Sequence, residues 1–367
     1  MADAWVVTGA GLVTAAGDDA GELCGRVAGG EPAPAAAEPP PARAIAAFDP
    51  ARYVRRKGLR HLSRTSQLAC SAAAQLELGL HPIPPGEVGV VLGSAWAALD
   101  SIVRFEREAW TEGPRFVDPG LFAETVANVP AGHVSIFFGW SALNATVVAG
   151  GASGLQAIVT ALDCLAEGRA AVVVAGGADG VNQHVLRVRA THGVASESPR
   201  AERRDWVGGE GSCLLALESG EHAARRGARV LGVLRRGATC WSDPRGVRPL
   251  EPRIHLLRRL LDGAGLRPSE IDLIVTARGG SPEPDEAQER VLRETFSPEV
   301  PPRISAGAVL GETWGAAGAI GVALALECVQ RGAPSGRGER DRPARDVLVI
   351  DGCASGHFGA LLVSAAD

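Results

Sequence analysis

The sequence predicts an α/β fold made of two similar strand–helix halves, and three observations predict it. Short apolar runs that stop at glycine recur at residues 4–11 (AWVVTGAG), 87–95 (EVGVVLGSA), 170–180 (AAVVVAGGADG), 272–280 (DLIVTARGG) and 346–356 (DVLVIDGCASG). Stretches with helical periodicity lie between several of them, at 63–78, 153–168, 254–265 and 314–330. The strand–helix series then runs twice, with a division near residue 225, so the halves are expected at 1–225 and 226–367. Runs that are apolar on both faces suit strands covered on both sides, and mainly parallel sheets are expected.

Taken in order, the first strand opens the chain and ends in TGAGLVTAAG. The spacing of Gly9, Gly11 and Gly17 is not GxGxxG, and no acidic residue closes a second strand about twenty positions later, which excludes a dinucleotide fingerprint. Residues 29–44 are rich in proline and alanine and read as an exposed irregular loop. The segment NATVVAGGASGLQAI (144–158) reads as a buried strand, Asn144 to Gly150, that turns sharply into the helix beginning near Ser153. A serine at that place is expected to cap the helix. Two strands, 209–219 and 228–240, follow one another with only a short turn between them, ending one half and starting the next. Residues 241–251 (WSDPRGVRPLE) are dense in turn formers and form a second loop.

Composition bounds the function. Of 367 residues, 46% are hydrophobic and 22% charged, which is ordinary for a water-soluble globular chain, and a net charge of −5 gives no attraction to nucleic acid or an anionic membrane. No apolar run reaches the length of about 18 residues that spans a bilayer, and MADAWVVTGAG has no signal-peptide pattern. The seven cysteines are odd in number, scattered and never in a CxxC pair, so neither a disulfide framework nor a zinc site is expected, and no cofactor. Reduced thiols point to the cytoplasm. Cys70, Cys164 and Cys328 sit in apolar helical stretches and read as inert buried thiols.

Four segments carry a family resemblance: VVTGAGLVTAAG (6–17), FAETVANVPAGHVSIFFGWSALNATV (122–147), RRDWVGGEGSCLLALE (203–218) and DGCASGHFGALLV (351–363). Together, and in the right order over essentially the whole chain, they resemble the β-ketoacyl synthases of the thiolase superfamily. The resemblance implies a thiolase-like fold, an internally duplicated five-layered αβαβα sandwich. It also implies an active site with a nucleophilic cysteine, two histidines and a lysine. The positions of this sequence that match them hold Gly151 for the cysteine, Arg278 and Glu312 for the histidines and Gly307 for the lysine, while Glu286 and Glu289 fall on the two acidic positions of the first histidine's motif. Glycine supplies neither nucleophile nor base, and arginine does not accept a proton at neutral pH, so ketosynthase chemistry is expected to be lost.

Ketosynthase-like subunits without the cysteine are the chain length factors of type II polyketide synthases. The resemblance therefore implies heterodimerisation with a catalytic ketosynthase, work with an acyl carrier protein, and a part in the wall of the tunnel where the chain grows. Phe122, Val126 and Val129 are candidates for lining that tunnel, with interface core the preferred assignment for any one of them. His133 is placed beside the interface, Cys353 stands where the family has a gating phenylalanine, and His357 is the one histidine to test for residual chemistry. Opposite charges at the two histidine positions are expected to meet as an Arg278–Glu312 ion pair filling the vestigial pocket. The arginines of YVRRKGLR (53–60) offer a basic patch to an acidic carrier protein, with a solvated helix face as the preferred account. Two alternatives stay open: altered chemistry, a decarboxylase or acyltransferase using His357 or Cys353, and a homodimeric scaffold that binds acyl chains or carrier protein.

Overall fold

The computed structural model describes residues 4–35, 42–192, 207–247, 249–277, 282–332 and 344–366. The first half runs β1 (Trp5–Thr14), α1 (Ala20–Gly29), β2 (Ala42–Arg43), α2 (Arg64–Leu80), β3 (Val88–Gly93), α3 (Leu99–Thr111), α4 (Pro119–Ala123), α5 (Val129–Phe138), β4 (Asn144–Val147), α6 (Ser153–Ala166), β5 (Val172–Asp179), α7 (Gln183–His192), β6 (Gly208–Gly209) and β7 (Gly211–Ser219). α8 (Gly220–Arg225) closes that half, and the second runs β8 (Gly232–Trp241), α9 (Glu251–Ala264), β9 (Leu273–Thr276), α10 (Pro282–Phe296), β10 (Arg303–Ser305), α11 (Gly307–Leu310), α12 (Ala317–Arg331), β11 (Asp346–Gly352) and β12 (His357–Ser364).

Local chemistry sets several boundaries. The Asp19 carboxylate accepts from the Gly21 and Glu22 amides and starts α1, while Gly30 in the left-handed conformation closes it. Ser63 caps α2, and Gly265 closes α9. Ten strands join in the order β10-β9-β11-β12-β8-β1-β7-β5-β3-β4. Counted outward from the β8–β1 junction, each half lays its long strands down as first, fifth, fourth, second and third, so one topology occurs twice. The junction itself is short, pairing Trp5 with Leu234, Val6 with Val233 and Val7 with Gly232.

Helices cover both faces of each half. α2 and α5 pack on the outer face of the first, α9 and α10 on the outer face of the second, and α6 and α12 meet between them, giving five layers. The middle layer is the driest. α12 is buried from Ala317 through Val329, because a helix between two sheets needs apolar residues all round. Leu155, Ile158 and Ala161 of α6 meet Ile320 and Leu324 of α12 in the central core, and each fully buried leucine or isoleucine contributes about 1.5–3 kcal/mol.

Four expectations are corrected. The sheet is mixed rather than mainly parallel: β3 runs parallel to β4 and β5, and β9 to β10 and β11, but β7 and β12 reverse direction and pair antiparallel with their neighbours. A short helix, α8, capped by Ser219, replaces the turn expected between β7 and β8. β4 is not buried: it is the edge strand, Asn144 is exposed and Ala145 to Val147 are half-buried, because among the described residues no strand lies beyond it. Residues 53–60 are no helix face but a bend between two single-turn 3-10 segments, Pro50–Arg52 and Leu59–His61. Residues 36–41 of the proline-rich loop lie outside the described residues, and before them Ala33 is buried, its amide bonded to the Val309 carbonyl at 2.9 Å. No described helix is long and apolar enough to cross a membrane.

Candidate functional site

The turn from β4 into α6 is held by its own atoms. Gly150 takes a left-handed φ of 59°, which a side chain disfavours. The Ser153 hydroxyl accepts from the Ala149 amide at 2.8 Å and lies 2.5 Å from the Gly150 carbonyl. Ser153 thus staples the turn instead of capping the helix. The N-cap is Ala152, which has no side chain to contribute. Gly151 lies buried on this turn, at the amino end of a helix of 14 residues. Free N–H groups and the helix dipole favour an anion there and would lower the pKa of a thiol, but Gly151 carries none.

Loops from other strands close in on the turn through glycines. A Cβ on Gly177 would lie 2.1 Å from the Gly315 carbonyl oxygen, and one on Gly154 2.3 Å from the same atom. Asp179, at the end of β5 and fully buried, fixes the arrangement. It accepts from the Ser94 hydroxyl at 2.5 Å, the Ala95 amide at 2.7 Å, the Trp96 amide at 3.1 Å and the Gly315 amide at 2.7 Å. Burial pushes its carboxyl up to about 6, and these four donors pull the other way. Trp96 and Trp314 meet edge to face with centroids 5.3 Å apart, and the Arg189 guanidinium lies 5.1 Å from the Trp314 ring centroid. None of this cluster was singled out from sequence. The only signal was a carboxylate ending the apolar run VVVAGGAD.

Glu312 is 9% exposed, and its carboxylate accepts from the Trp314 amide at 3.1 Å on its own turn. Its backbone bonds to Val207 and Gly209. Arg278 lies outside the described residues, and with it the expected ion pair. Gly307 is the buried first residue of α11. Glu289 pairs with Arg303 and with Arg293, and the Arg303 hydrogen bond holds its carboxyl below the usual range, while Glu286 is exposed.

Cys353 does reach the turn. Its Sγ is 3.6 Å from the Ala149 carbonyl and 2.9 Å from the Ser355 hydroxyl, and a Cβ on Gly150 would lie 3.2 Å from the sulfur. The His357 carbonyl accepts from the Cys353 amide at 2.9 Å, and the half-buried His357 ring has no hydrogen-bond partner among the described residues. Among those residues no group of three or more His, Cys, Asp or Glu side chains gathers as a metal site.

His133, Phe122, Val126 and Val129 belong to a different surface. His133 links α5 to the start of α2, with Nδ1 3.0 Å from the Ser66 hydroxyl and Nε2 3.2 Å from Glu124, and burial pulls its pKa below the usual value against the pull of Glu124. Asn144 of β4 donates to the Ala131 carbonyl of α5 at 2.9 Å. Val129 is half-buried and Val126 exposed, while Phe122, Val148 and Ile136 are 62%, 57% and 76% exposed. In the 53–60 bend Arg56 pairs with Glu77 at 2.9 Å, and Arg55 and Lys57 are exposed.

The family model "Beta-ketoacyl synthase, N-terminal domain" matches residues 42–223. Among curated proteins, 3-oxoacyl-acyl-carrier-protein synthase 2 of Coxiella burnetii is 25% identical over 306 residues, covering 77% of this chain and 73% of that protein. Two solved structures share the fold over the full length of both chains: a β-ketoacyl synthase from Burkholderia phymatum (TM-score 0.87, 23% identity) and the ishigamide ketosynthase/chain length factor (TM-score 0.84, 20% identity).

Proposed function

The chain belongs to the β-ketoacyl synthase family, and within it we propose that it is a non-catalytic subunit that pairs with a cysteine-bearing ketosynthase, in the manner of a chain length factor. The observation that carries this reading is the buried, side-chain-less Gly151 at the amino end of α6. In this reading the turn keeps the shape of an acyl-accepting site without the acceptor. The Glu312 carboxylate bonds to its own backbone turn, and in this reading a carboxylate at the position matched to a histidine repels the enolate that the histidine would stabilise.

The unpaired edge of β4, with Phe122, Val126, Ile136 and Val148 exposed on the surrounding surface, supports a partner subunit there. In this reading Phe122, Val126 and Val129 join the interface or the tunnel wall, the Arg278–Glu312 pair fills the old pocket, and the halves 1–225 and 226–367 act as one cytoplasmic subunit serving an acyl carrier protein. The test is acyl loading. With acyl- and malonyl-carrier protein, the purified chain is expected to gain no acyl mass and to release no carbon dioxide. Either signal at a rate comparable to a ketosynthase overturns the reading.

A second reading, acyl transfer through Cys353, is favoured by the sulfur's position against the turn. An acyl adduct that disappears in Cys353→Ala selects it.

A further inference from the structure

Arg253 stands in the first turn of α9 and is 8% exposed. Its Nε is enclosed and has no hydrogen-bond partner. Among the described residues the side chain forms no ion pair. Its one close contact of defined geometry is the face of Phe358, with Cζ 5.6 Å from the ring centroid. Burial pulls its pKa below the ordinary value, while the thiols of Cys240 and Cys353 are close enough to act on its charge. The guanidinium nonetheless stays protonated at neutral pH. A buried cation with no acceptor is strongly disfavoured, and a ring face offsets only part of that. The N-cap, Leu250, gives no side-chain bond, and its carbonyl accepts from the Arg253 and Ile254 amides at 3.1 Å. Glu251, the first residue of the helix, is exposed.

Next to Phe358, the hairpin of residues 353–356 is tied to the end of β8 by two hydrogen bonds. Trp241 Nε1 donates to the Ser355 carbonyl at 2.9 Å, and the Ser242 amide donates to the Gly356 carbonyl at 3.0 Å. On its other side the same hairpin sets Cys353 against the Ala149–Gly150 turn. Of the Arg253 nitrogens only Nε is enclosed without a partner, so the two terminal nitrogens are the ones a small molecule reaches.

We propose that Arg253 anchors an oxyanion-binding subsite between the start of α9 and the 353–356 hairpin, taking the carboxylate or phosphate group of a small molecule. The guanidinium supplies charge-assisted hydrogen bonds.

Thermal melting of the full chain at fixed ionic strength in chloride, with added acetate, malonate or inorganic phosphate, tests it. The wild type is expected to show a saturable rise in melting temperature, as a ligand specific to the folded state requires. A rise with the carboxylates alone assigns a carboxylate ligand, and a rise with phosphate alone assigns a phosphate. Arg253→Met is expected to lose that rise and to melt at or above the wild type in chloride, since the orphan charge is gone. Arg253→Lys keeps a weakened response. General salt stabilisation acts equally on wild type and Arg253→Met. An identical rise in both, no rise in the wild type, or an Arg253→Met chain that melts well below the wild type or fails to fold overturns the proposal.

Discussion

Gly151 and Asp179 frame what single residues contribute. Gly151 was singled out in the sequence because its strand–turn–helix setting resembles the place where a condensing enzyme presents its nucleophile, and the structure puts it buried on that turn. Restoring it is not expected to restore chemistry. Gly151→Cys gives no condensation product above the wild-type background in a malonyl-carrier assay, since the matched histidine positions hold Arg278 and Glu312; a product at ketosynthase rates contradicts this. Asp179 was not legible, because its donors come from Ser94, Ala95, Trp96 and Gly315, far away in sequence. Asp179→Asn leaves at least one of those donors facing an amide nitrogen. It is expected to cost about 1–3 kcal/mol in denaturant unfolding, and an unchanged midpoint refutes the anchoring role. Arg253 escaped the sequence for the same reason: a buried charge is visible only through what surrounds it.

Elements were easier to read than their pairings. The apolar runs and helical periods located the long strands and helices, but strand direction depends on partners distant in sequence. The antiparallel placement of β7 and β12 and the exposed edge of β4 therefore had no local signal. Ser153 likewise looked like a cap until the Ala149 amide was seen to reach it. Close approach of elements yields one prediction. Gly177→Ala drives a Cβ into the Gly315 carbonyl oxygen, a backbone atom that does not swing aside, and is expected to destabilise by about 1–3 kcal/mol or more. The β4 edge yields another. Val148→Asp or Ile136→Asp alters exposed positions, so the chain's own melting temperature is expected to hold while co-purification with a ketosynthase partner falls. Loss of both together would mark a folding defect instead.

For the whole molecule, two buried groups bias acid stability in opposite directions. His133 is held below its ordinary value of 6.5, so the unfolded chain binds that proton first, and stability is lost as pH falls from 6.5 towards the folded value. Asp179 is raised from 3.8 to about 6, so its contribution grows as pH falls through about 6 and is complete below 3.8. His133→Gln is therefore expected to melt with a shallower decline below about pH 6.5 than the wild type, and Asp179→Asn with a steeper one; parallel curves for all three chains exclude both assignments.

The repeated strand order and the five layers account for the family's shape, with the core built by α6 and α12. The central claim is that this shape serves a partner. The most direct measurement is the mass in solution of the complex obtained when the chain is co-expressed with a cysteine-bearing ketosynthase. A one-to-one heterodimer is predicted. A homodimer of this chain that excludes the ketosynthase contradicts the account.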